Sequence, residues 1–243
     1  MQLLFAFIIL SVITLIAVLL VLLSKNSRSG KVRDIANQQH WDYQEYLDFN
    51  DRLKEANFGL LNYSQNVIFR HVLNAANITF FDCRAIEPSG IHNSSIILSY
   101  LNLEPRFQTL QATFSPMAAQ PSINGRNPIN ALQSPIDNNH LTRLRHMQKL
   151  SAANPHYAFQ KYHLHSNQQS LLEDFLQHHI ERSGRENNLS TWLLAHPHLH
   201  IEISNGILLA YQPNKLLDEE SIMPAINAVM SLSTALNTFS YTD

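Results

Sequence analysis

The 243-residue chain lacks the residues on which several protein classes depend. A single cysteine, Cys83, excludes an internal disulfide framework. Six glycines in the whole chain leave little backbone for cradling phosphates, and neither G-x-x-x-x-G-K-[ST] nor G-x-G-x-x-G occurs. A G-x-S-x-G nucleophile elbow and an H-E-x-x-H metal helix are also absent. Charge is sparse, at 15% of residues and a formal net −2, and it is unevenly placed. Residues 1–33 carry four bases and no acid, which leaves 13 bases against 19 acids in 34–243, a formal −6. A remainder that acidic argues against nucleic-acid binding, which needs basic surface to displace counterions. With 45% hydrophobic residues the chain is neither disordered nor collagenous.

What is present begins with an apolar run. Leu3 to Leu23 has no charge, and Ser11 and Thr14 are its only polar members. At 1.5 Å per residue a helix of that length matches the roughly 30 Å hydrocarbon core of a bilayer. A cleaved signal peptide would have a basic leader, a shorter apolar stretch and a small-x-small site. The run therefore predicts a transmembrane anchor that holds the chain to the lipid bilayer through 3–23. Lys25, Arg28, Lys31 and Arg33 follow it, and the positive-inside rule makes them the topology-determining residues. They place the following domain on the cytoplasmic side of the inner membrane, in a single-pass arrangement, with 24–34 as a basic juxtamembrane segment.

The rest reads as two structured stretches around a loop. Over 35–114, Val32–Lys54 is expected to be helical with interruptions. Short runs at 67–73, 78–86, 96–103 and 107–114, rich in Ile, Phe, Val and Tyr, predict an antiparallel meander. Five of the ten prolines fall in 115–155, which is expected to be a loop or linker with a short helix around 139–150. Over 156–243 the pattern predicts a strand at 157–165 and then a helix capped by Ser166. A hairpin turning on Asn205-Gly206 and a helix over 218–239 follow. Pro224 is compatible with that last helix only in its first turn. The fold class expected is α+β: a single N-terminal transmembrane helix, then a domain of antiparallel strands and a few helices.

Four stretches resemble a family of uncharacterised bacterial membrane-anchored proteins: Phe81-Asp82-Cys83-Arg84, Glu104-Pro105-Arg106-Phe107, Phe159-Gln-Lys-Tyr162-His-Leu164, and the segment from Glu202 to Tyr211. The family's phrases are "FDY-[RS]-Y", "LP-x-F", "F-x-x-x-Y-x-L" and "E-x-x-x-x-x-L-L-x-Y". The resemblance covers most of 32–238 and fits 115–155 worst. Cys83 stands where the pattern has an aromatic, and Glu104 where it has Leu. The resemblance implies an anchored α+β architecture and brings no activity with it.

Histidine is the one conspicuous excess, at 13 residues. His196, His198 and His200 alternate, and in a continuous strand they would share a face with Glu202. His163 and His165 alternate likewise, with His178-His179 on the helix between. Imidazoles and a carboxylate converging from two strands are a zinc-ligand set, so His198, His200, His163 and His165 are the metal candidates. The plainer reading makes them the solvent faces of half-buried strands whose Ile201 and Ile203 point inward. Pro197 also argues for an edge or a break. Cys83 is expected to be a small buried hydrophobe, because strand alternation turns Asp82 and Arg84 away from it. Asp218-Glu219-Glu220 reads as acids favoured by a helix dipole. The residues thus name no cofactor and no catalytic residue. They favour a domain that binds another protein over an enzyme; the alternative is a tethered enzyme or metal-binding domain built on the histidine strands.

Overall fold

A computed structural model describes residues 12–15, 27–47, 51–56, 58, 67–87, 90–116, 147–149, 159–181 and 189–237. Helix α1 covers Arg28–Gln39, strand β1 Asp42–Tyr46 and helix α2 Asp51–Ala56. Strands β2 (Val67–Ala75), β3 (Ile78–Glu87), β4 (Gly90–Tyr100), β5 (Gln111–Pro116), β6 (Gln148–Lys149) and β7 (Tyr162–Ser166) follow. The chain continues through α3 (Gln169–Glu181), α4 (Leu189–Ala195), β8 (His200–Ser204), β9 (Ile207–Tyr211) and α5 (Glu219–Leu236).

All nine strands form one antiparallel sheet in the order β1-β2-β3-β4-β9-β8-β5-β7-β6. Strands from 35–114 and from 156–243 therefore share a single sheet, with β9 and β8 inserted between β4 and β5. The β8–β9 hairpin turns on Asn205 (φ 49°) and Gly206 (φ 66°). Positive φ at both central residues is the turn whose twist matches that of the strands. Central β9 is buried at every residue and so has no polar alternation to show.

The first face of the sheet carries the larger core. Phe80, Ile97, Phe114, Leu164, Ile201, Ile203 and Leu208 pack there beneath α1, α3, α4 and α5. Helix α5 contributes Ile222, Ile226, Val229, Leu232 and Leu236, each worth about 1.5–3 kcal/mol when fully buried. Its start is set by Asp218, whose carboxylate accepts from Ser221 N at 2.8 Å, with Glu219 and Glu220 in the first turn. On the second face Val72, Phe81, Cys83, Ile96, Leu98, Ile207, Leu209 and Tyr211 pack under Leu53, Ala56 and Phe58.

The expected architecture is corrected here. The described chain is a sheet-dominated antiparallel fold with helices laid against it, and among the described residues no helix is long and apolar enough to cross a membrane. Of the run 3–23 only 12–15 is described, a helical turn with Val12, Ile13 and Leu15 exposed; the rest lies outside the described residues. An apolar run of spanning length is by itself no span, which also needs one continuous hydrogen-bonded helix. The membrane, transmembrane and single-pass readings rested on the length of that uncharged run and its basic flank, and are withdrawn. Most of the 115–155 loop, with the helix expected at 139–150, also lies outside the described residues; its 147–149 portion carries strand β6.

Candidate functional site

Three polar or open places on the sheet are candidates for function. The first is a cleft of about 150 Å³ lined by Gln44, Leu47, Leu53, Asn74, Thr79, Leu98 and Tyr100. Asp42, Asn74, Thr79 and Leu98 stand opposite one another on β1, β2, β3 and β4, forming a single cross-strand row. Thr79 Oγ1 donates to Asn74 Oδ1 at 3.0 Å. The cleft is thus lined by Leu98 and Tyr100 of β4 and by an amide and hydroxyl rim toward β1, the last strand of the sheet, and more of its exposed lining is polar than apolar.

The second place is a polar clasp on the first face of the same half. Arg28, in the first turn of α1, grips Asp82 of β3 with two bonds, Nε to Oδ2 at 2.8 Å and Nη2 to Oδ1 at 2.9 Å. Arg28 Nη1 donates to Leu217 O, and Ser95 Oγ donates to Asp82 Oδ1 at 2.7 Å. A bulge in β2 holds His71 at φ 56°, so that its Nδ1 lies 3.2 Å from Asp82 Oδ2. Burial would raise the Asp82 pKa, but the hydrogen bonds from His71, Arg28 and Ser95 and the guanidinium charge outweigh it and hold the carboxyl below its usual range. An ionised carboxylate only accepts, so His71 Nδ1–H is the donor of that bond. Nε2 faces Glu45 Oε1 at 3.9 Å, beyond hydrogen-bond reach. Tyr43 OH donates to Glu45 Oε2 at 2.7 Å and lies 2.8 Å from Ser29 Oγ of α1. That bond is the main reason the Glu45 pKa is lowered, whereas burial raises that of Tyr43. The clasp fastens α1 to β1 and β3.

The third place holds three of the four histidines named as metal candidates, His163, His165 and His200. On the second face of β8, β5 and β7, His165, Thr113 and Glu202 stand in one row, and His163 lies opposite Ser115 in the next. Glu202 and Thr113 are fully buried, and Tyr211 OH donates to Glu202 Oε1 at 2.9 Å. His200 stacks on Tyr211 with ring centroids 5.5 Å apart. With strands about 4.8 Å apart, residues flanking β5 stand about 10 Å from one another at Cα. His163, His165 and His200 are thus brought to one face across β5. His198 is not among them: β8 begins only at His200, which leaves His198 exposed in the turn before it. His196 stacks on Trp192 at 4.2 Å. Among the described residues no group of three His, Cys, Asp or Glu is disposed to hold a metal ion.

Other singled-out residues have structural partners. Lys31 pairs with Glu219 at 3.5 Å, Arg33 lies over the Tyr43 ring at 4.9 Å, and Lys25 falls outside the described residues. Burial, with the nearby Asp82 charge, pushes the Cys83 thiol up to about 12, so it stays protonated at neutral pH and is no nucleophile. Glu104, Arg106 and His178 form a surface cluster, with Arg106 Nε to Glu104 Oε2 at 2.9 Å and His178 Nε2 to Glu104 Oε1 at 3.1 Å. Sequence reasoning missed the clasp, because its members are up to 189 residues apart and the one local signal was Arg28 in a basic run.

No family model matches the chain, and no curated protein does. The fold is similar to a solved structure, that of the mycobacterial trehalose monomycolate transport factor A. The TM-score is 0.52 at 12% identity, over 86% of this chain and 93% of that one. At that identity the likeness is one of fold.

Proposed function

We propose that this chain is a binding domain whose cleft takes one side chain with both apolar and polar atoms from a partner protein. The cleft carries this reading. Small-molecule pockets run to roughly 300–1,000 Å³, so a cleft of about 150 Å³ suits one anchoring side chain rather than a whole ligand. Leu47, Leu53, Leu98 and Tyr100 supply the apolar contact, while Gln44, Asn74 and Thr79 at the rim orient what enters.

A second reading is favoured by the fold likeness to a transport factor named for a glycolipid: the anchor is an alkyl segment of a lipid. Thr79→Trp separates the readings, because a half-buried strand position tolerates an indole that fills the cleft. Affinity purification of the full chain, with proteins and extracted lipids both quantified, is the test. A protein retained by the wild type and lost from a folded Thr79→Trp variant supports the first reading. A lipid showing that pattern supports the second, and identical recoveries from both chains overturn the role of the cleft.

A further inference from the structure

The bulge in β2 turns His71 toward two carboxylates at once. Its φ of 56° is a backbone state that few residues adopt, and a bulge re-aims the side chain it carries. Nδ1 lies 3.2 Å from Asp82 Oδ2 of β3, and Nε2 lies 3.9 Å from Glu45 Oε1 of β1. The first is a hydrogen bond, whereas the second is an ion-pair distance that no hydrogen bond closes. In a neutral ring whose Nδ1–H is on Asp82, Nε2 presents a lone pair to the Glu45 oxygen. In the cation it presents a donor instead. We infer that His71 is a proton-operated latch: proton uptake at Nε2 turns its meeting with Glu45 from repulsion to attraction and fastens β1 to β3 through the β2 bulge.

The groups around the ring set the sign of the effect. Histidine changes charge between pH 5 and 8. The Asp82 and Glu45 carboxyls are both held below their usual range, so both stay anionic throughout that window. Among the described residues, the other charged or titratable groups on this side are Arg28 of α1, Tyr43 of β1 and Arg70 of β2, with Arg33 of α1 over the Tyr43 ring. Arg28 is bonded to Asp82 and Leu217 O, and Arg70 to the Tyr46 hydroxyl. Tyr43 and Ser29 both donate to Glu45 Oε2, which leaves Oε1 as the oxygen turned to His71. The docked strand therefore favours the protonated ring. β1 is held most firmly near pH 5 and loosens as the pH rises toward 8. Gln44, between Tyr43 and Glu45 on β1, lines the cleft, so the latch steadies one wall of it. The latch itself does not depend on what the cleft binds.

The test is amide hydrogen exchange of β1 in the full-length protein at several pH values from 5 to 8, corrected for the intrinsic pH dependence of exchange. Protection of β1 is expected to fall on the order of fivefold across that range, the scale of a partly exposed ion pair. Protection of β9, at the centre of the sheet, is expected to change far less. His71→Asn is the matching variant. Asparagine tolerates the left-handed backbone, and its amide stands where Nδ1 stood, able to donate to Asp82, with no second nitrogen for Glu45. Protection of β1 should be independent of pH in that variant and in Glu45→Gln. A wild type without the fall, or an equal fall in folded His71→Asn, would overturn the latch. If His71→Asn does not fold, the ring nitrogen resonances of wild-type His71 decide. A proton gained at Nε2 between pH 8 and 5, with the β1 amides shifting at the same midpoint, supports the latch. A ring that keeps one charge state over that range, or β1 amides that ignore its titration, would overturn it.

Discussion

The two halves of the sheet place their buried carboxylates, Asp82 and Glu202, on opposite faces. In β1–β4 the second face is apolar under Leu53 and Phe58 out to the amide and hydroxyl rim of the cleft, and the charged clasp of Arg28, Asp82 and His71 lies on the first. In β8, β5 and β7 the first face is apolar, with Phe114, Leu164, Ile201 and Ile203, while Glu202, Thr113 and the histidines lie on the second. Central β9, apolar on both sides, is the seam. Each half buries one carboxylate and treats it differently. Asp82 is neutralised by a guanidinium, whereas Glu202 is bonded by the Tyr211 hydroxyl beside the imidazole of His200. A sheet can thus bury both faces with a polar cluster on either, provided each cluster is hydrogen-bonded.

The largest effect should come from emptying the apolar side of the first half. Phe81 is fully buried and stacks edge-on to Phe69 at 5.7 Å. Phe81→Ala is expected to cost about 4 kcal/mol through lost transfer energy and the cavity left behind, measured by urea unfolding. Next comes the clasp. Arg28→Ala strands the Asp82 carboxylate and should cost about 3 kcal/mol, the low end for a broken buried pair because the arginine side chain is 23% exposed. The sign of its pH dependence follows from the lowered Asp82 pKa. That stabilisation is present above the unfolded carboxylate value of about 4 and is lost as pH falls through the folded value. Unfolding followed from pH 7 down to pH 3 should show this slope in the wild type and a shallower one in Arg28→Ala. An equal slope in both chains would remove Arg28 from the clasp.

Local signals made much of the sheet legible, and the pairing of distant segments was not. Short runs of β-branched and aromatic residues marked β2, β3 and β4, and Asn205-Gly206 marked the β8–β9 turn because only positive φ closes it. β1 was read as part of a helix: its Tyr43 and Tyr46 sit three residues apart, a helical spacing that the strand turns to opposite faces, and its edge position leaves no apolar alternation to mark it. The strand expected at 107–114 is shorter, because Pro105–Phe107 forms a 3-10 turn before Gln111. Pro224 lies inside α5, beyond the first turn, and the helix runs on past it to Leu236 although the ring withholds one N–H and crowds the carbonyl four residues before it. For the candidate sites, alternation placed His163 and His165 on one face, but the row joining His165 to Glu202 depends on β5 lying between them. The clasp was invisible for the same reason, since nothing near Arg28 in the sequence points to Asp82.

The hydroxyl that bonds Glu202 gives the third-ranked effect. Tyr211→Phe keeps the ring packed in the second-face core and deletes only the donor to Glu202 Oε1. A hydrogen bond to a charged or strongly polar buried group is worth about 1.5 kcal/mol, and the variant should lose about that in urea unfolding. A loss near zero would mean that the polar half is satisfied without Tyr211, and the contrast between the two buried carboxylates would narrow to the arginine alone.

The smallest effect separates two histidines that the sequence places in one alternating series. His200 is half-buried on β8 and stacked on Tyr211, whereas His198 is exposed in the preceding turn. His200→Gln removes a ring contact and should cost about 1 kcal/mol, while His198→Gln should stay within about 0.5 kcal/mol, as surface substitutions do. Thermal unfolding of both variants with and without Zn²⁺ checks this. A Zn²⁺-dependent rise in the melting temperature of the wild type that both substitutions abolish would mean that His198 swings into line with His200. It would also mean that β8 extends past its observed start, and the polar half would then be a ligand set rather than a satisfied face.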